Sequence, residues 1–104
     1  MPYIIVQSWY PPSKADEAVK KYLEVMEKLP FDESLGKQIV PVATTVTKDS
    51  QTSLSIAEVE QQKVGDALEW AKRFMIQFRN IEGYYYEVKT WSTAEEGLAR
   101  MGVS

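Results

Sequence analysis

The hydrophobic and polar positions of this chain fall into six patterned segments, which predict the order strand, helix, strand, strand, helix, strand. The first segment, Tyr3–Tyr10, is rich in β-branched and aromatic side chains, as strands are, and a Pro-Pro pair ends it. Apolar residues then recur at helical spacing from Ala15 to Leu29, and Pro30 stops this pattern. The first part of the chain therefore predicts a strand followed by a helix.

The rest of the chain carries the other four segments and a short terminal one. Their patterns predict strands over Gln38–Lys48, Thr52–Glu60 and Tyr84–Trp91, and a helix over Gln61–Arg79. Ser13 with Asp16 predicts a variant capping box at the start of the first helix. Thr93 with Glu96 predicts a second box, at the start of a short third helix that Gly102 is expected to end.

This order of elements predicts an α+β fold of the ferredoxin-like type, βαββαβ. The predicted four-stranded antiparallel sheet has the order 4-1-3-2, with two helices on one face and a short C-terminal helix. Pro41 supports this order, because a proline cannot donate to a strand ladder and the second strand is an edge strand in this topology. The length suits one core, so residues 1–104 are expected to form a single domain.

The strand order and the terminal helix together make the layout resemble the dimeric α+β barrel superfamily. The resemblance covers nearly the whole chain and rests on the pattern of elements. It implies that two sheets pack face to face in a homodimer or a higher homo-oligomer. Members of the superfamily include cofactor-free monooxygenases, isomerases and ligand sensors. Those that rely on a histidine do not match, because this chain has none.

A hairpin centred on Asp49 and Ser50 would pair Val46 with Ser53 and divide the second and third strands into two faces. One face is small and β-branched, which suits close packing under the helices. It comprises Val40, Val42, Thr44, Val46, Ser53, Ser55, Ala57 and Val59. The opposite face comprises Pro41, Ala43, Thr45, Leu54, Ile56, Glu58 and Glu60.

The first and fourth strands extend this second face. With Ile4 and Val6 under the helices, alternation adds Tyr3, Ile5, Gln7 and Trp9 from the first strand and Tyr85, Glu87, Lys89 and Trp91 from the fourth. The mixture is too apolar to remain uncovered in water. It is also too polar for a dry core, where an unpaired charge is very costly. The second face therefore predicts a partly hydrated cavity that a second subunit covers.

Glu58 is the candidate for a catalytic acid or base. On a central strand beside Leu54 and Ile56, partial burial would favour its protonated form and proton transfer near neutral pH. The alternative is a solvated carboxylate at the rim, paired with Lys89. The predicted ligand-binding residues are Gln7, Trp9, Glu58, Tyr85 and Trp91, whose aromatic members suit a flat organic molecule. A dimer interface favours the same residue types, so both interpretations stay open.

The amino-acid composition excludes several kinds of catalytic and metal-binding site. The chain has no Cys and no His, which excludes thiol and imidazole catalysis and the metal sites that use these ligands. We therefore expect no cofactor and no metal. The formal net charge of −3 disfavours a nucleic-acid partner, since nucleic-acid binding needs basic surface.

The predicted location and function follow from these exclusions. No segment approaches the about 18 apolar residues of a membrane span, and the N-terminal residues have no basic leader, so we expect no membrane partner and a cytoplasmic protein. The predicted function is a small oligomerising module with a small-molecule ligand between its sheets. The alternatives are a cofactor-independent enzyme of the monooxygenase or isomerase type, using Glu58 with aromatic partners, and an adaptor without a ligand.

Overall fold

In the computed structural model, which describes residues 1–102, the strands and helices follow one another in the predicted order. The strands are β1 (Tyr3–Tyr10), β2 (Gly36–Val46), β3 (Gln51–Val59) and β4 (Tyr85–Trp91). The helices are α1 (Ala15–Lys28), α2 (Val64–Met75) and α3 (Ala94–Arg100). Short 3-10 turns at 12–14 and 61–63 lead into α1 and α2, and another at 76–78 extends α2. The strands begin and end within two residues of their predicted bounds.

The four strands form one antiparallel sheet in the order β2-β3-β1-β4. This is the predicted order written from the other edge, so the ferredoxin-like α+β fold is confirmed. β2 lies at the edge of the sheet, as Pro41 predicts. Two central strands, β1 and β3, therefore hold the positions from which side chains reach the middle of each face.

Alternation along β1 separates the two faces of the sheet. Ile4, Val6, Ser8 and Tyr10 are buried, whereas the residues between them are half-buried. The buried set faces α1 and α2, and together with residues such as Val25, Ala67, Ala71, Phe74 and Phe78 it forms the core. Tyr86 and Val88 of β4 also pack against this core. The predicted faces of β1 and β4 are confirmed, and we call the face away from the helices the open face.

The β2–β3 hairpin has a different register from the predicted one. Val46 lies opposite Gln51 rather than opposite Ser53. The turn occupies residues 47–50, where the N–H of Thr47 donates to the carbonyl oxygen of Ser50 at 2.7 Å. The shift is two residues along β3, and because side chains alternate with a period of two, the predicted faces survive near the turn.

Two register shifts in β2, the second of which spans Pro41, change the predicted faces there. The register shifts once between Gln38 and Val40 and again between Val40 and Ala43. Val40 consequently lies opposite Ile56, on the open face, although the sequence predicted it under the helices. Pro41 was predicted on the open face and instead lines the helix side. A proline removes one ladder donor, and a bulge accommodates the unpaired residue.

The two predicted capping boxes have opposite outcomes. The box at Ser13 is wrong: a 3-10 turn precedes α1, and Lys14 occupies the N-cap position without capping it through its side chain. The box of α3 is confirmed, because Thr93 Oγ1 accepts the Glu96 N–H at 3.1 Å and the Glu96 carboxylate accepts the Thr93 N–H at 2.8 Å. Gly102 follows that helix with φ of 79°, as a helix end favours.

Candidate functional site

The five predicted ligand-binding residues lie together on the open face. Gln7 and Trp9 belong to its β1 row, and Glu58 lies on β3 beside that row. Tyr85 and Trp91 lie on β4, with exposed fractions of 71% and 48%. The structure therefore confirms that these residues share one face of the sheet.

Within one subunit these residues do not cluster: Gln7 lies between two groups that the other four residues form at opposite ends of the sheet. Trp9 lies directly opposite Tyr85 at one end of the sheet. At the other end, Tyr3 lies between Glu58 and Trp91 in a single row across three strands. Trp9 lies six positions after Tyr3 along the extended strand, a distance of roughly 20 Å. The residues do not converge on one pocket of a single chain, so their predicted role in ligand binding stays a prediction about an assembled oligomer.

Glu58 has neighbours that the sequence did not identify. It is half-buried, and it lies between Tyr3 on β1 and Lys37 on β2. Lys89, the expected partner, instead places its Nζ 3.1 Å from Oε2 of Glu87. The aromatic partners available to Glu58 in its row are therefore Tyr3 and Trp91. Its catalytic role stays a prediction.

A cavity of about 210 Å³ lies on the other side of the sheet, between α1, α2 and the β2–β3 hairpin. We call it the helix-side cavity. Val19, Tyr22 and Met26 of α1 line one wall. Ser53 and Ser55 of β3 line the floor. Sequence reasoning placed the ligand between two sheets and did not predict this cavity.

Small side chains on β3 explain why the cavity exists. The floor positions that face α1 carry Ser53 and Ser55, where a filled core would carry larger apolar side chains. α2 packs against β1 and β4, whereas the cavity separates α1 from the hairpin. The sequence pattern predicts that these small residues pack closely under the helices. In the structure they leave space instead.

Stacked aromatic rings form the far wall of the helix-side cavity. Tyr10 stacks on Tyr84 with ring centroids 5.2 Å apart, and Tyr84 stacks on Phe78 at 5.0 Å. Phe78 contacts Phe74 at 6.0 Å, and Phe74 contacts Trp70 at 5.3 Å. All five side chains line the cavity. Such a wall offers flat apolar surface to a ring-shaped molecule.

Two polar side chains lie at the closed end of the cavity. Ser8 is only 2% exposed and lies within hydrogen-bonding reach of the Tyr84 phenol. Burial raises the pKa of Tyr84 to about 12, and a hydrogen bond from Ser8 partly opposes this rise. Burial also raises the pKa of Tyr10 and of Tyr22. These phenols stay neutral at physiological pH and can donate hydrogen bonds to a ligand.

The mouth of the cavity is apolar and open to solvent. Val19 and Met26 on α1 are 52% and 44% exposed, and Val42 on β2 is 44% exposed. All three also line the cavity, so apolar surface continues from its mouth to its interior. No residue in the described lining carries a formal charge at neutral pH. The arrangement suits an uncharged, largely apolar molecule, since burying an unpaired charge here would be costly.

Sequence reasoning missed this cavity, although one signal was present. Serines occupy two successive helix-facing positions of a central strand, Ser53 and Ser55, where apolar residues are the rule. That signal becomes informative only when the helix above them stands away from the sheet. The position of α1 depends on packing over the whole chain, which the sequence pattern does not contain.

Residues 1–102 lack two further kinds of feature. None of the helices there is long and apolar enough to cross a bilayer. In the same part of the chain, the acidic side chains form no group of three or more that could hold a metal ion.

Comparison with known proteins gives similarity in fold alone. No protein-family model matches the chain, and no curated protein matches its sequence. Among solved structures, the de novo designed protein Foldit4 matches with a TM-score of 0.57 and 12% identity, over 89% of this chain and 99% of that one. The uncharacterized protein TM1266 from Thermotoga maritima matches with a TM-score of 0.52 and 6% identity, over 88% of this chain and 100% of its own.

A third solved structure is that of an enzyme. SnoaB from Streptomyces nogalater, described as a cofactor-independent oxygenase and solved as a mutant, matches with a TM-score of 0.51 and 8% identity. The match covers 89% of this chain and 93% of SnoaB. At such low identities these likenesses concern the fold alone, and they agree with the ferredoxin-like arrangement of strands and helices described above.

Proposed function

We propose that this protein is a small-molecule-binding module that holds a flat, largely apolar molecule in the helix-side cavity. The observation that carries the proposal is the cavity itself, about 210 Å³ in volume, with stacked aromatic rings on one wall and an open apolar mouth. Pockets for drug-sized ligands measure about 300–1,000 Å³. The ligand is accordingly smaller, with one or two fused rings.

A cavity-filling variant tests this function. Ala71 on α2 is 1% exposed and lines the cavity, so Ala71→Leu places extra atoms where the ligand would lie. Naphthalene is a suitable probe, and calorimetry or ligand-observed NMR gives its affinity. We expect wild type to bind it and A71L to bind it at least about tenfold more weakly, a loss of about 1.4 kcal/mol or more. Ala99→Leu, the same change at an exposed position of α3, should bind as wild type does.

Two results would contradict the proposed function. One is the absence of detectable naphthalene binding by wild type at concentrations up to the aqueous solubility of naphthalene. The other is equal binding by wild type and A71L. Overpacking costs typically about 1–3 kcal/mol, so circular dichroism must first show that A71L is folded. If it is not, Ser55→Val reduces the same cavity with a smaller change of volume.

We also propose that the module is a homodimer whose open faces pack against each other. The centre of that face is apolar, with Ile5, Leu54 and Ile56, and aromatic residues flank it. Charged residues lie toward its edges: Lys37 and Glu58 on one side, Lys89 and Glu87 on the other. An apolar centre with aromatic side chains and a charged rim is the usual composition of a protein interface. A second copy of this chain offers the same surface in return.

A cofactor-independent enzyme is the second candidate function. The observation that favours it is the row formed by Glu58, Tyr3 and Trp91, in which a half-buried carboxylate lies beside Tyr3 and Trp91 follows one strand further. In a homodimer this row would be covered, as acid–base chemistry in a water-poor site requires. Both candidate functions are compatible with the cytoplasmic location expected from the sequence.

A further inference from the structure

A row of hydroxyl side chains crosses the floor of the helix-side cavity. Thr44 on β2 lies opposite Ser53 on β3, and Ser53 lies opposite Ser8 on β1. All three residues line the cavity. Adjacent strands are about 4.8 Å apart, so the row presents a hydroxyl at each strand over a span of roughly 10 Å.

The row leads from solvent to the closed end of the cavity. Thr44 is exposed at the edge strand, Ser53 is half-buried, and Ser8 is 2% exposed. A molecule that enters past Val42 and Val19 would meet Thr44 first and Ser8 last. The three hydroxyls therefore become more deeply buried along the path by which a ligand would enter.

These hydroxyls have hydrogen-bonding capacity that the fold does not use. Within residues 1–102, no side-chain hydrogen bond of the fold involves Thr44 or Ser53. Ser8 lies within hydrogen-bonding reach of Tyr84, and because a hydroxyl has one donor and two acceptor sites, it keeps capacity for a second partner. At helix-facing positions of a central strand, apolar side chains would bury more area and stabilise the fold better. Binding a ligand is a function that such hydroxyls can serve and apolar side chains cannot.

We propose that Thr44, Ser53 and Ser8 form a recognition strip that selects an uncharged ligand with a hydroxyl or carbonyl oxygen on the edge facing β3 and β1. The proposal rests on the proposed function, because it concerns the occupant of the same cavity. The aromatic wall supplies affinity for the flat body of the ligand, and the strip supplies its orientation. The uncharged lining excludes an ionised ligand, whose charge would have no partner.

Three matched probes separate these contributions: naphthalene has the ring system alone, naphthol adds one hydroxyl, and naphthoate adds a charge. We expect wild type to bind naphthol more tightly than naphthalene and to bind naphthoate least. Ser53→Ala and Ser8→Ala should each weaken naphthol binding about three- to tenfold, the range of one neutral hydrogen bond. Neither change should affect naphthalene. Ser13→Ala removes an exposed hydroxyl outside the cavity and should leave all three affinities unchanged.

The outcomes distinguish the strip from the proposed function. Equal affinity of wild type for naphthalene and naphthol would overturn the strip and leave the cavity as a binding site. A serine variant that loses affinity for naphthol and naphthalene equally would also overturn the strip. The substitution would then have changed the shape of the cavity rather than removed a hydrogen bond to the ligand. Naphthoate binding as tight as naphthol binding would also overturn the strip's selection of uncharged ligands. If none of the three probes binds wild type at concentrations up to its aqueous solubility, both proposals are overturned.

Discussion

Ile5 on β1 lies directly opposite Ile56 on β3, and the two side chains share the centre of the open face. Leu54 lies two residues further along the same face of β3. Such a cluster on one face of a sheet, away from the core under the helices, is typical of an interface rather than of free surface. The pair therefore offers a direct way to separate assembly from folding.

We predict that Ile56→Lys dissociates the homodimer and leaves the subunit folded. A lysine at the centre of the interface would bury two unpaired charges across the twofold axis. Light scattering at micromolar concentration should give twice 11.9 kDa for wild type and 11.9 kDa for I56K. Thr47→Lys, in the exposed hairpin turn, should remain dimeric. A wild-type mass of 11.9 kDa contradicts the dimer, and unfolding of I56K would show that each subunit's own core needs Ile56.

We predict that Ser55→Val stabilises the protein and weakens ligand binding. Valine removes a hydroxyl from a helix-facing position, fills part of the cavity and suits a strand better than serine. Urea unfolding should show a gain of about 0.5–2 kcal/mol in the free energy of unfolding. Naphthalene affinity should fall, because the cavity is smaller. Thr90→Val makes a similar change on β4, outside the cavity lining, and should not affect naphthalene affinity. If S55V is less stable than wild type and binds naphthalene equally well, that result would contradict the proposal that the cavity serves ligand binding.

We predict a loss of stability at alkaline pH that depends on Tyr84. In the unfolded chain its phenol ionises near its usual pKa of about 10. In the folded protein burial raises that pKa to about 12. Between these values the unfolded state binds fewer protons than the folded state, so the free energy of unfolding falls as pH rises from about 10 to 12. Below about pH 10 the contribution is fully present.

Tyr84→Phe is the matched variant for this dependence. Phenylalanine keeps the stack on Tyr10 and Phe78 and has no proton to lose. The free energy of unfolding of Y84F, measured by urea denaturation across the alkaline range, should fall less steeply than that of wild type. Tyr10 and Tyr22, whose pKa values burial also raises, leave a residual slope in both proteins. Parallel curves for the two proteins would show that Tyr84 ionises alike in the folded and unfolded states.

We predict that Glu58→Gln leaves binding in the helix-side cavity unchanged. Glu58 is not among the lining residues, and its side chain belongs to the open face. Removing the negative charge of Glu58 should alter the free energy of unfolding by about 1 kcal/mol or less, as is usual for partly exposed charges. Loss of naphthol binding by E58Q would indicate that the ligand binds on the open face, and it would favour the enzyme hypothesis. Calorimetric titration of naphthol into both proteins measures the difference.

Local patterns were sufficient to predict most of the fold. Alternation in β1 assigned Ile4 and Ile5 to opposite faces, and Pro41 correctly placed β2 at an edge. The hairpin register was wrong because the turn begins at Thr47, one residue earlier than the predicted one. The bulges moved Val40 to the open face, because a proline interrupts the ladder in a way that simple alternation does not include.

The candidate site was less predictable than the fold. The shared face of Trp9 and Tyr85 follows from strand alternation and was predicted correctly. The space above Ser53 and Ser55 depends instead on where α1 settles relative to β3. That distance is set by non-local packing of large side chains such as Phe74 and Tyr22, which no local pattern encodes.

The most direct test of the helix-side cavity as the binding site is the location of bound naphthol in wild type. Intermolecular nuclear Overhauser effects between naphthol ring protons and protein side chains give this location. We expect them to Val19, Met26 and Phe74, which line the cavity. Contacts to Trp9, Ile56 or Trp91 on the open face, with none to the cavity residues, would contradict the proposed function and place the ligand between the sheets.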